Sequence, residues 1–137
     1  MSTSPVVFAL LAMVTWGLWA VLADAATQST SPTVAMIVSY LVGTALAGIY
    51  VLTRPNPVTY TREGVLLAVA AGVFSGVAAV AFYAGLERGS TGVVTTVSAL
   101  YFVVAAVLGV VLFDEPVTLQ RVGGVGFAVA AVALLAN

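Results

Sequence analysis

The sequence has 137 residues, is 62% hydrophobic and 7% charged, and carries a net charge of −1. Soluble domains hold about 25% charged residues, so this composition is that of an integral membrane protein, of one domain on length alone. With Arg54, Arg62, Arg88 and Arg121 as its cations and no Cys or His, it offers no nucleic-acid surface, no disulfide and no ordinary zinc or haem ligand set, so no cofactor or metal is expected.

The first apolar segment covers residues 5–23 and ends in the small-x-small triplet Ala23-Asp24-Ala25. No basic residue precedes it, and it exceeds the roughly 7–15 residues of a signal-peptide core, so it reads as a retained helix. A polar neutral linker follows. The second segment, 32–52, opens on Ser31-Pro32, where Ser can cap and Pro occupies a first helical position that needs no N–H. The loop after it holds Arg54, Pro55, Pro57, Arg62 and Glu63 and is therefore solvated.

The third segment spans 64–86 and closes on Glu87-Arg88-Gly89-Ser90, with Gly89 as expected C-cap and Ser90 as the next N-cap. The fourth spans 91–113. A charged turn, Asp114-Glu115-Pro116, hinges it to the fifth, 117–136. Two apolar blocks joined by one polar turn form a membrane hairpin with the turn at a water interface. Each segment, at about 19–23 residues, is long enough for a hydrocarbon core about 30 Å thick. The expected fold is all-α and integral to the membrane, with five transmembrane helices. Arg54, Arg62 and Arg121 share one side and Arg88 the other, which favours an N-terminus inside. So small a bias is also compatible with insertion in both orientations.

Helical spacing suggests which faces meet. Ala68, Gly72 and Gly76 form a small-residue ladder in the first half of the third segment, where close helix approach is expected. Ser75, Ala79 and Tyr83 form a second row beside it. Ser39, Gly43 and Ala47 line the second segment, and Gly123, Gly124 and Gly126 the fifth. Trp19, near the end of the first segment, reads as an interfacial anchor, whereas the deeper Trp16 suits a cavity wall as well as an anchor. Thr95, Ser98 and Tyr101 share a polar stripe on the fourth segment. For each hydroxyl alone, bonding back to its own helix is the simpler reading. Together with Tyr40, Ser75 and Tyr83 the stripe points to a polar-lined path.

The expected substrate-binding residues are thus Trp16, Tyr40, Ser75, Tyr83, Ser98 and Tyr101. Indole and hydroxyl groups remain solvated in a wet cavity and gain nothing against lipid. No charged residue lies mid-segment, which argues against a buried proton relay or a charged ion filter. Solute recognition by such a site should vary little with pH unless Asp24 or Glu115 reaches it. Asp24 and Glu115, at helix ends, are the candidates for ion coupling, although interfacial solvation accounts for both. Gly124-Val125-Gly126 lacks the third glycine and the preceding strand of a dinucleotide fingerprint, and helix packing explains it. No nucleophile, base or metal set suggests an enzyme.

Several local patterns resemble the EamA domain of the drug/metabolite transporter superfamily. Trp16-Gly17 is similar to a Trp-Gly pair in that family's first helix, and Ser31-Pro32 to the opening of its second. Ser98-Ala99-Leu100-Tyr101 resembles its Ala-Leu-Tyr-Pro stretch, with Phe102 where Pro is usual. Glu115, Thr118, Gln120 and Gly124 resemble its turn into the fifth helix, with Asp114 where Gly is usual. The resemblance covers all five segments as a single-domain form. It implies transport of a small organic metabolite by alternating access and a ten-helix bundle in inverted repeat, of which five helices are half. An odd helix count inverts a tandem copy, so the expected partners are the lipid bilayer, the solute, and an antiparallel homodimer mate or paired homologous half. The expected location is the cell membrane, multi-pass. The rival reading is a non-transporting scaffold or regulatory subunit of a partner transporter. The buried first-helix Glu of the four-helix multidrug exporters has no counterpart, so proton/drug antiport is not carried over.

Overall fold

The computed structural model describes residues 4–55 and 57–135. Among the described residues all regular structure is helical: α1 (Pro5–Thr27), α2 (Pro32–Leu52), α3 (Arg62–Leu86), α4 (Thr91–Ala99), α5 (Tyr101–Phe113) and α6 (Leu119–Leu135). The chain forms two compact units, divided after Arg88. The first holds α1–α3, which pack against one another, and the second holds α4–α6, in which α4 packs on α6. Pro5–Thr27, Pro32–Leu52, Arg62–Leu86 and the combined stretch Thr91–Phe113 are long and apolar enough to cross a membrane. The helix Leu119–Leu135, at 17 residues, is a shorter apolar one. The architecture is that of a helical membrane protein.

Helix ends follow local chemistry, with several departures from expectation. α1 runs on from Ala23 to Thr27, because Ala25 and Ala26 favour helix and the Thr27 hydroxyl donates to the Asp24 carbonyl at 2.7 Å. Asp24 therefore lies in the last turn of the helix and not in the linker. Pro32 opens α2 as expected, but the Ser31 side chain makes no capping bond; its backbone carbonyl instead accepts from the Ala35 N–H at 3.0 Å. α3 starts at Arg62, where the Thr61 hydroxyl accepts from the Gly64 N–H at 3.0 Å and Glu63 suits the positive end of the helix.

At the other end of α3, Gly89 does not take the left-handed cap conformation. Among the described residues no glycine has positive φ. The Arg88 guanidinium donates to the Ala84 carbonyl at 2.6 Å and satisfies the helix end instead. Ser90 caps α4 as expected, its hydroxyl accepting from the Val93 N–H at 3.4 Å.

The fourth apolar segment is broken at Leu100 although it contains no proline. The Leu100 N–H donates to the Val97 carbonyl, and the Leu100 carbonyl accepts from the Val103 N–H, so the turn tightens to three-residue spacing. Residues 93–97 are all β-branched, which costs helix propensity. The Thr95 hydroxyl donates to the Thr91 carbonyl at 2.6 Å and that of Thr96 to the Gly92 carbonyl at 2.6 Å. Such back-bonding loosens and bends a helix.

The hinge to α6 is sharply defined. Asp114 sits in the left-handed region with φ 51° and ψ 33°, the conformation a glycine would take without cost. The Gly109 carbonyl accepts from the backbone N–H of both Asp114 and Glu115. α6 begins at Leu119, two residues later than expected, because Thr118 stays outside and its hydroxyl accepts from the Arg121 N–H at 3.2 Å. Position 136, the expected end of that segment, lies outside the described residues.

Burial in the α1–α3 unit is confined to one end. The buried residues there are Ala20 and Ala23 of α1, Ala35 of α2, and Ala79, Tyr83 and Leu86 of α3. These belong to the C-terminal end of α1, the N-terminal end of α2 and the C-terminal end of α3, which antiparallel neighbours bring to the same level. At the opposite end, every residue from Tyr40 to Leu52 in α2 and from Arg62 to Ala78 in α3 is exposed. Within the chain, the Ala68, Gly72 and Gly76 row is not what joins the helices. A Cβ built on Gly72 or Gly76 would meet nothing within 4 Å. The neighbouring Ala79–Tyr83 row makes the contact, in the second half of the helix.

Candidate functional site

Two features of the α1–α3 unit combine polar groups with shape. The first is an aromatic cluster at the packed end. Trp19 lies one turn before the buried Ala23. Its Nε1–H donates to Ser39 Oγ of α2 at 2.8 Å. Its ring stacks on Phe82 of α3 at 5.1 Å between centroids, with planes 27° apart. Tyr83 meets it edge-on at 6.1 Å and meets Phe82 at 6.2 Å. Edge-to-face and offset stacking at these separations stabilise beyond area burial, by about 0.5–1.5 kcal/mol per pair. The half-buried indole donor is satisfied, so the cluster joins three helices at no polar cost.

The second feature is an open groove of about 660 Å³ between α2 and α3, lined by Met36, Ile37, Tyr40, Gly72, Gly76 and Val80 among others. Its floor is glycine and alanine, and its walls are apolar. Tyr40 brings the phenol to it.

The expected site residues fall into different surroundings. Tyr83 is 2% exposed and belongs to the aromatic cluster. Tyr40, 42% exposed, lines the groove. Ser75 is exposed, one position before Gly76, and does not line it. Trp16 is 61% exposed, whereas Trp19, read as an interfacial anchor, makes a contact across to α2. Ser98 and Tyr101 flank the break at Leu100 in the second unit, and both are exposed. The hydroxyl of Thr95, from the same stripe, is taken up by its own helix.

Asp24 is half-buried in the last turn of α1. Glu115 is held at the hinge, where its carboxylate accepts from Arg121 Nη1 at 2.8 Å. That carboxylate folds against α5: a Cβ on Gly109 would lie 2.9 Å from Glu115 Oε2. Glu115 thus ties α5 to the start of α6. Among the described residues there is no group of acidic, His or Cys side chains that could hold a metal ion.

Sequence reasoning read Trp19 as an anchor and passed over Phe82 and the role of Ser39. The available signal was spacing. Trp19 and Ala23 share one face of α1, Ala35 and Ser39 one face of α2, and Ala79 and Tyr83 one face of α3, each pair four residues apart.

A family model described as the EamA-like transporter family matches residues 3–137. No curated protein matches the chain. No solved structure matches it either.

Proposed function

The chain belongs to the EamA-like transporter family, and on that premise we propose that it is a transporter half moving a small organic metabolite by alternating access in the cell membrane. It works beside a second five-helix half of opposite orientation, either an antiparallel copy of itself or a homologous half. The observation that carries this reading is the one-ended packing of α1–α3, under a family membership that implies transport. Three apolar helices joined at one end and exposed at the other have faces that lipid or protein must cover in a membrane. The exposed Gly72 and Gly76 suit a facing helix, since small residues let backbones approach.

The candidate solute-binding residues are Trp16, Tyr40, Ser75 and Tyr83 in the first unit and Ser98 and Tyr101 in the second, so recognition rests on aromatic contact and neutral hydrogen bonds. Glu115 is occupied by Arg121, which leaves Asp24 as the stronger coupling candidate.

The test is reconstitution of the purified chain in proteoliposomes with a screen of amino acids, amines and sugars. Transport is expected from the chain alone where its mate is an antiparallel copy, and on adding the homologous half where it is not. Ser98→Ala and Tyr101→Phe should each weaken apparent affinity by about 0.5–1.5 kcal/mol, the worth of one hydrogen bond, with expression unchanged. A chain that transports nothing itself but alters a co-reconstituted transporter is a regulatory subunit. Normal transport in both variants with loss in Asp24→Asn would replace the neutral path with coupling through Asp24.

A further inference from the structure

We propose that Trp19, Ser39, Phe82 and Tyr83 form a gate that closes the α1–α3 unit at the C-terminal end of α1 and reopens through release of the Trp19–Ser39 hydrogen bond. The proposal rests on the transporter reading for its meaning, because a path with alternating access needs one end shut while the other is open. The structure has that asymmetry: all six buried residues of the unit sit at the cluster's end, while the opposite halves of α2 and α3 are exposed along their whole length.

The chemistry of the cluster suits a reversible closure. At the cluster, the hydrogen bond between α1 and α2 is the neutral one from Trp19 to Ser39, at 2.8 Å. The link between α1 and α3 is ring stacking, 5.1 Å to Phe82 and 6.1 Å to Tyr83. No ion pair or covalent bond must break. The other buried residues at this end include Ala20, Ala23, Ala35 and Ala79, all small side chains. Opening therefore separates flat and small surfaces, and it leaves an indole N–H and a hydroxyl to be met by entering water. Trp19 lies eight residues from the end of α1, about 12 Å along the axis, which places the gate below the helix ends, within reach of a solute path. Tyr40 of the groove follows directly on Ser39, so a movement of α2 that releases Ser39 also moves the groove wall.

The test uses a buried thiol as reporter in the Cys-free full chain, reconstituted in liposomes without solute. Ala79→Cys replaces a residue that is 4% exposed; Ala35→Cys is a second reporter on another helix. N-ethylmaleimide needs a thiolate, which forms in water and not in an apolar interior. The reaction rate, normalised to Ser29→Cys in the exposed link, thus reads how often the packed end admits water. With a gate, both reporters react slowly but measurably in the parent. Ser39→Ala and Trp19→Phe each speed them about fivefold, the effect of one hydrogen bond near 1 kcal/mol. Ser39→Thr keeps the hydroxyl and returns the parent rate.

Rates unchanged in both Ser39→Ala and Trp19→Phe would overturn the gate. So would Ser39→Thr reacting as fast as Ser39→Ala, since general loosening does not distinguish a retained hydroxyl. A parent in which neither reporter reacts marks static packing and overturns it as well. No solute enters the measurement, so the gate can fail while transport is found, and transport can fail while the gate stands.

Discussion

The two ends of the α1–α3 unit differ in packing more than in composition. The packed end holds Ala20, Ala23, Ala35, Ala79, Tyr83 and Leu86 around an aromatic cluster. The other end has the glycines and alanines usually credited with close helix approach, yet Gly72 and Gly76 face open space. A small-residue row permits contact and does not compel it, because between helices in lipid there is no hydrophobic driving force to choose one apolar face over another. At the packed end a specific pairing makes the choice: an indole N–H and a hydroxyl that would otherwise be left unsatisfied away from water.

The largest effect should come from removing the ring that packing encloses most fully. Tyr83→Ala deletes a side chain that is 2% exposed and should destabilise the chain by about 3 kcal/mol, within the range for aromatic truncation in a core. Trp16→Ala, at a ring 61% exposed, should cost under about 1 kcal/mol. Denaturant unfolding in detergent, followed by circular dichroism, compares the two. Equal losses would erase the distinction between the ends, and a larger loss for Trp16 would reverse it.

These particulars show what the sequence made legible. The helical class and several helix starts came from apolar length and from Ser, Thr and Pro at the starts, because capping and ring closure are local chemistry. The inward face of α3 and the choice between Trp16 and Trp19 are tertiary facts. Hydropathy carries no direction when lipid and protein are equally apolar, so the only signal for either was the four-residue spacing of pairs such as Trp19–Ala23 and Ala79–Tyr83. The break at Leu100 lacks the proline that signals one, and arises from a β-branched run and threonine back-bonds whose summed effect is not apparent in any single residue. Ser98 and Tyr101 were chosen for polarity and are found beside that break, where the exposed stripe is interrupted. Asp114 is the opposite case. Its departure from an expected glycine marks a left-handed residue, which the backbone has at φ 51°.

A smaller effect of the opposite sign is expected at that hinge, outside both ends of the first unit. Asp114→Gly should stabilise the α5–α6 turn by about 0.5–1 kcal/mol, since glycine adopts the left-handed conformation without a Cβ clash. Its N–H still reaches the Gly109 carbonyl, and the Glu115–Arg121 pair at 2.8 Å is untouched. The melting temperature should rise. Asp114→Val, β-branched at positive φ, should lower it. A fall in both variants would mean that the aspartate side chain, and not the backbone, holds the turn.

The smallest effect sharpens the contrast between the ends most directly, because it compares two helix starts of the same unit. α2 starts at the packed end and α3 at the exposed end. At the packed end the Ser31 side chain makes no capping bond, and nearby Ala35 is buried against its neighbours. At the exposed end the Thr61 hydroxyl accepts from the Gly64 N–H at 3.0 Å, with no buried residue in the first turns of α3. If packing holds the start of α2 and side-chain capping the start of α3, Ser31→Ala should change stability by less than about 0.3 kcal/mol, while Thr61→Ala should cost about 1 kcal/mol, the usual value of a lost cap. The loss should be local, because fraying of an exposed first turn does not require the packed end to open. Amide hydrogen exchange separates the cases. Thr61→Ala should speed exchange at Gly64 and Val65 about fivefold, the equivalent of 1 kcal/mol, and leave Leu86 unchanged. Faster exchange at Ala35 in Ser31→Ala would show that α2 also depends on its serine, and that its start is held by the same chemistry as the start of α3.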